Sequence, residues 1–230
     1  MPKDTTLYLV RHGQSAANAG EITHDPASIP LTETGREQAR RLAAELEVQP
    51  TAVIVSHYQR AIDTAQPFCQ RWGVAAVEHP LLHEFVTLSP AQVNGTTVAA
   101  RKPLVEAYWE AADPQCRHGD DAESFIGFAD RVRAFRETLD TLADGTVIFG
   151  HGMWFAMLIW QLQSFGWQDS LSMRAFRRYQ LGLPMPNCAV YALRSQRSGA
   201  WSVHFDEGVF RHVHHGEAQA EARAAVMAGA

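Results

Sequence analysis

The 230-residue chain has little cysteine. Its three cysteines, Cys69, Cys116 and Cys188, are odd in number and far apart. That excludes a disulfide framework and any cysteine-based metal spacing, and it fits a reducing compartment. An excess of basic residues is also missing: 20 Lys and Arg stand against 25 Asp and Glu, a net charge of -5 with histidine neutral. A broad nucleic-acid-binding surface is therefore not expected, although a small cationic pocket remains compatible with this balance. No basic segment followed by an apolar run opens the sequence, so no signal peptide is expected. The most apolar stretch, 147–162, is interrupted by Gly150, His151 and Gly152 and is too short to span a bilayer comfortably. Internal repeats and domain-scale linkers are absent as well. The expectation is a cytoplasmic protein with one α/β domain over 1–216, an inserted segment at about 86–119 and a tail over 217–230.

What the chain does have is short apolar runs that end in chemistry. Leu7-Tyr8-Leu9-Val10 reads as a buried strand and stops at Arg11-His12-Gly13. Arg is a permanent planar cation suited to phosphate, and His can attack or move protons near neutral pH. A second apolar run, 51–55, leads into Ser56-His57-Tyr58-Gln59-Arg60, where a helix is expected to start with Ser56 as a cap. A β-like run over 74–82 is expected to be short or at an edge because of Pro80, and Glu84 and Phe85 follow it. Thr146-Val147-Ile148-Phe149 ends in Gly150-His151-Gly152 and continues as an apolar helix from Met153 to about Gln163. The unpaired N–H groups at such a helix start carry partial positive charge.

Between these lie two amphipathic helices. One is expected from Thr34 with Glu37 at capping-box spacing, burying Ala39, Leu42, Ala43 and Leu46. The other is expected from Asp120 with Glu123 at the same spacing, burying a stripe from Phe125 to Leu142 and ending at Asp144-Gly145. Residues 86–119 are broken by Pro90, Asn94-Gly95, Pro103 and Asp113-Pro114, with one helix expected over 98–112. This segment is expected to lie over the active end of the sheet and to govern specificity. Arg174, Arg177 and Arg178 are expected on a solvated face, residues 188–193 and 201–205 as a hairpin around Ser198-Gly199, and His212, His214 and His215 on an exposed tail rather than at a metal.

Strands that alternate with helices imply a largely parallel sheet with its carboxyl ends on one side. Four strand ends would then deliver Arg11, His12, Arg60, Glu84 and His151 to one rim. Two guanidiniums can neutralise the oxygens of a phosphoryl group there.

In this order the motifs resemble the histidine phosphatase superfamily, also called phosphoglycerate mutase-like. Residues 9–18 (LVRHGQSAAN) are similar to its signature, Ser56–Thr64 to its second motif, Leu82-His83-Glu84 to its acid-bearing motif and Gly150-His151-Gly152 to its closing one; Leu31–Gly35 also matches. The resemblance implies a three-layer α/β/α sandwich with a mostly parallel central sheet. It implies His12 as nucleophile, Arg11, Arg60 and His151 as phosphoryl ligands, and Glu84 as the proton donor. Asn18 and Ser56 would support the phosphate pocket, with no metal or other cofactor. A phosphatase acting on a small phosphomonoester is the leading expectation. The mutase branch usually carries Trp before the Asn of the first motif, where this chain has Ala17, and its long Tyr- and Pro-rich insertion is not recognisable in 86–119. A mutase-type phosphotransferase and a non-catalytic phosphate-binding module are the alternatives. The expected partner is a small phosphorylated molecule, not nucleic acid or membrane; a homodimer is left open.

Overall fold

The computed structural model describes residues 4–195 and 200–215. Six strands form one sheet: β1 (Thr6–Arg11), β2 (Val53–Val55), β3 (Ala76–Glu78), β4 (Thr146–Gly150), β5 (Val190–Ser195) and β6 (Trp201–Phe205). Their order is β3-β2-β4-β1-β5-β6. The first four are mutually parallel; β5 runs antiparallel to β1, and β6 antiparallel to β5, so the sheet is mixed and mostly parallel. Strand β4 is buried along its whole length, as an unbroken apolar run covered on both faces should be. Register places Arg11 beside Gly150, so the ends of β1 and β4 are level.

Successive strand residues point to opposite faces. Val10 therefore joins Phe149, Leu42, Phe68 and Val209 in a cluster under α1 (Glu33–Glu45), α2 (Gln59–Trp72) and α8 (Glu207–Val213). Leu9 joins Phe128, Phe155 and Phe176 under α5 (Phe125–Arg136), α6 (Gly152–Leu162) and α7 (Ser170–Gly182). The result is the three-layer α/β/α arrangement. Two further helices, α3 (Pro90–Val93) and α4 (Val98–Ala111), lie within 86–119. No helix among the described residues is long and apolar enough to cross a membrane.

Several local expectations are corrected. Helix α1 is capped by Thr32, whose side chain accepts from the Gly35 N–H, and not by Thr34. Helix α5 is capped by Ser124 and stops at Arg136; Leu139 lies in a separate 3₁₀ turn. Helix α2 begins at Gln59 with Tyr58 at the cap position, which frees the Ser56 hydroxyl for another partner. Arg177 is half-buried over the Trp109 ring, 5.1 Å from its centroid, rather than on a solvated face. Residues 207–213 are helical and pack on α1, so His212 lies on a helix and His214 and His215 directly after it rather than on a free tail, although His212 and His215 are exposed as expected. His214 Nε2 donates to the Asn187 carbonyl at 2.9 Å. The Ser198-Gly199 turn and the tail over 217–230 lie outside the described residues.

Candidate active site

The site begins with the loop after β1. Gly13 passes so close to Gly35 at the start of α1 that a Cβ on Gly13 would lie 2.6 Å from the Gly35 carbonyl oxygen. A Cβ on Gly35 would lie 2.0 Å from the Gln14 carbonyl oxygen. Only two glycines permit this contact, which clamps the His12 loop to α1. The Thr64 hydroxyl adds a second clamp, accepting from the Gly13 N–H at 3.0 Å and donating to the Arg60 carbonyl at 2.7 Å.

Within this frame His12 is 4% exposed. Its Nδ1 lies 2.7 Å from the Gly13 carbonyl, which can only accept, so Nδ1 carries the hydrogen. In the neutral ring Nε2 then holds a lone pair, and the Arg60 Nε–H donates to it at 3.2 Å. Burial, with the Arg60 and Arg11 guanidiniums nearby, holds His12 well below the usual imidazole pKa. The ring is thus neutral at neutral pH.

His151 is fully buried, with its ring 5.3 Å from that of His12. Its Nε2 shares a 2.8 Å hydrogen bond with Ser56 Oγ, and its Nδ1 has no partner among the described residues. Burial, Arg60 and His12 hold His151 well below its ordinary pKa too. Arg60 itself is lowered to about 10 by burial and still carries its charge at neutral pH. Its NH1 donates to the Pro26 carbonyl at 2.8 Å, and its guanidinium lies over the Tyr58 ring. Arg11 donates from Nη1 to the Met185 carbonyl, while its buried Nε lacks a hydrogen-bond partner among the described residues. Glu84 interacts electrostatically with both Arg11 and Arg60.

Glu84 is held by a helix start. Its carboxylate oxygens accept from the Met153 N–H at 3.1 Å and the Trp154 N–H at 3.0 Å, first-turn donors of α6 that have no partner within the helix, and from its own neighbour Phe85 at 3.0 Å. The short segment around it is fixed from outside. Arg131 grips Glu123 through two 2.8 Å bonds and donates to the carbonyls of Leu81 and His83. Burial alone would raise Glu123, but His83 and Arg131 overcome it and bring its pKa to about 2. Glu123 therefore braces the 81–86 segment rather than capping a helix.

Arg11, His12, Arg60, Glu84, His151 and Ser56 are thus linked by contact or by direct electrostatic interaction. Asn18 is set apart on the exposed side, where its Oδ1 accepts from the Ser15 hydroxyl at 3.1 Å and from Asn187 Nδ2 at 3.1 Å. That amide group of Asn187 also donates to the His12 carbonyl at 3.2 Å, so Asn187 ties Asn18 to the His12 loop. Asn187, Tyr58 and Thr64 were not singled out by the sequence; for Asn187 the one local signal is its place as the polar residue after Leu183-Pro184-Met185-Pro186.

A cavity of about 410 Å³ opens beside Arg60 and Glu84. Its walls include Tyr58, Phe85, Leu88, Val93, Val98 and Val105, most of them supplied by residues 85–105.

Known proteins share this sequence pattern and architecture. A 161-residue stretch is 30% identical to a probable phosphoglycerate mutase of Serratia proteamaculans, covering 66% of this chain and 72% of that one. Similarity of 30% over 159 residues, 68% of this chain and 78% of the other, links it to an adenosylcobalamin/alpha-ribazole phosphatase of Salmonella typhimurium. The solved alpha-ribazole phosphatase of Shigella flexneri superposes with a TM-score of 0.69 at 22% identity, over 89% of this chain and 97% of that chain. A mycobacterial glucosyl-3-phosphoglycerate phosphatase superposes with a TM-score of 0.66 at 23% identity, over 89% and 98%. At these identities the superpositions speak to the fold alone. The sequence profile of the histidine phosphatase superfamily (branch 1) matches residues 7–207, and with the sheet-end histidines already in place the chain belongs to that superfamily.

Proposed function

We propose that the protein is a phosphatase that hydrolyses a phosphomonoester through a phosphohistidine on His12, within a single domain over 1–216. One observation carries the proposal. The Nδ1–Gly13 hydrogen bond leaves the lone pair on His12 Nε2, where the Arg60 Nε–H donates to it, and the His151 ring lies 5.3 Å from the His12 ring. A phosphoryl group entering there takes over the Arg60 N–H, and Arg11, Arg60 and His151 surround its oxygens. His12 Nε2 bonds to phosphorus as the ester P–O bond breaks, and Glu84 passes a proton to the departing oxygen. Water then attacks phosphorus, Glu84 recovers a proton, and the P–N bond breaks to return His12 and inorganic phosphate. Two displacements replace one difficult step. Ser56 orients His151, and Asn18 works at the outer edge of the pocket through Asn187.

The probable phosphoglycerate mutase relative favours a second reading, phosphate transfer between hydroxyls of one molecule. Phosphate release and isomerisation are measured side by side on phosphoglycerate and on a panel of phosphoesters; release without isomerisation is expected. A brief incubation with labelled phosphoester should leave an acid-labile label on the wild type and none on His12→Ala. A label independent of His12 would overturn the phosphohistidine route.

A further inference from the structure

The cavity beside Arg60 and Glu84 gives a leaving group at the site a space to extend into, and the charged side chains on its wall have partners of their own. Arg101 is held by four bonds to Thr23 and Thr96. Lys102 faces Glu106 at 3.7 Å. Arg177 donates to Gln180 at 2.7 Å and lies over Trp109. The rest of the lining is largely apolar: Leu88, Val93, Val98 and Val105, with the rings of Tyr58 and Phe85. Val98 is 49% exposed although it lines the cavity. A hydroxyl-rich leaving group would lose water against this apolar lining with few polar partners in return, whereas an apolar one is favoured by burial. A cavity of about 410 Å³ also exceeds what a three-carbon acid would fill.

We infer that the preferred substrates are phosphomonoesters of an extended, apolar alcohol, with the phosphoryl group at His12 and the hydrocarbon along the wall built by Val93, Val98 and Val105. This inference rests on the phosphatase reading and deepens it. The phosphate end of such a substrate meets the buried cations, and its leaving oxygen emerges beside Glu84, where the cavity begins.

The test uses the full chain and a homologous series of n-alkyl phosphates from ethyl to octyl, whose leaving alcohols differ little in acidity and mainly in apolar length. The value of kcat/KM should climb by up to about fourfold for each methylene that enters the cavity, the equivalent of about 0.8 kcal/mol, and then level off. Val98→Asp places a charge at the first position of α4, where an acidic residue suits the helix and preserves folding. It should flatten the rise with chain length, which is the quantity read rather than any absolute rate. A flat or falling series, or 3-phosphoglycerate surpassing the octyl ester, overturns the inference while phosphate release keeps the phosphatase reading standing. Calorimetric titration with propyl- and octylphosphonate separates the two claims. Tighter binding of the octyl compound without turnover of any ester would support the apolar cavity and defeat the hydrolytic reading. Equal binding of both would defeat the cavity.

Discussion

The strand-end floor of the site and the wall of the cavity beside it are built on different terms. The floor is made of strand ends. His12, Ser56 and His151 are at most 4% exposed, and each follows a strand locked to its neighbours by ladder hydrogen bonds. The wall comes largely from 85–105, where Val98 and Lys102 are open to solvent. It is moored at its far end, where Tyr108 and Trp109 enter the core beside Phe85 and Phe125. A floor of this kind fixes distances; a wall of this kind can change its lining without disturbing the sheet. On the reading proposed above, groups that act on phosphorus belong to the floor, and groups that choose the alcohol belong to the wall.

Substitutions can break that division. Arg60→Ala should lower kcat by about 10²–10³-fold for every ester, because it removes a cation aimed at the phosphoryl oxygens whatever the leaving group. A loss confined to long alkyl esters would move Arg60 from floor to wall. Glu84→Gln stands at the border. It should cost about 10²-fold with unactivated alkyl esters and much less with aryl esters, whose leaving oxygens need no proton. Equal losses across both classes would remove the acid assignment.

A smaller effect sharpens the comparison through stability. His12 and His151 are held neutral by burial and by cations, so their folded-state pKa values lie below the unfolded value near 6.5. Above that pH both states are neutral and the contribution is constant. As pH falls below about 6.5 the unfolded chain takes up protons that the folded one refuses. Stability should then drop by up to about 1.4 kcal/mol per pH unit for each histidine, until the folded pKa is reached. Urea unfolding between pH 7 and 5 measures the slope. His151→Gln should remove about half of this part of it, and Val98→Asp should leave it unchanged. An unaltered slope in His151→Gln would mean that His151 takes up its proton in the folded protein as readily as in the unfolded one.

The division also explains what the sequence revealed. Strands β1 and β4 were legible because an apolar run stops abruptly at a charged or histidine residue, a purely local signal. Arg60 was legible because it closely follows a strand. Caps were less so: Thr32 and Thr34, or Asp120 and Ser124, are chemically equivalent candidates, and only the backbone angles at the turn decide between them. Helix α3 was missed because four residues carry no periodicity. Glu123 bracing the Glu84 segment, Asn187 reaching His12 and Arg177 stacking on Trp109 are contacts between distant parts of the chain, and nothing in local spacing announces them. The wall was readable as an irregular insertion, but its apolar lining emerges only when residues from both sides of the loop meet.

One junction ties the His151 imidazole to the carboxylate. His151 is the residue just before α6, and Glu84 is seated on the second and third N–H groups of the same helix. Acid and imidazole are therefore bolted to a common mounting. A slide of α6 along its axis carries them together, so thermal jitter in that helix is shared by both rather than appearing as a change in their separation. The spacing left sensitive is the one to His12, on the neighbouring strand, and there the paired backbones of β1 and β4 act as the ruler.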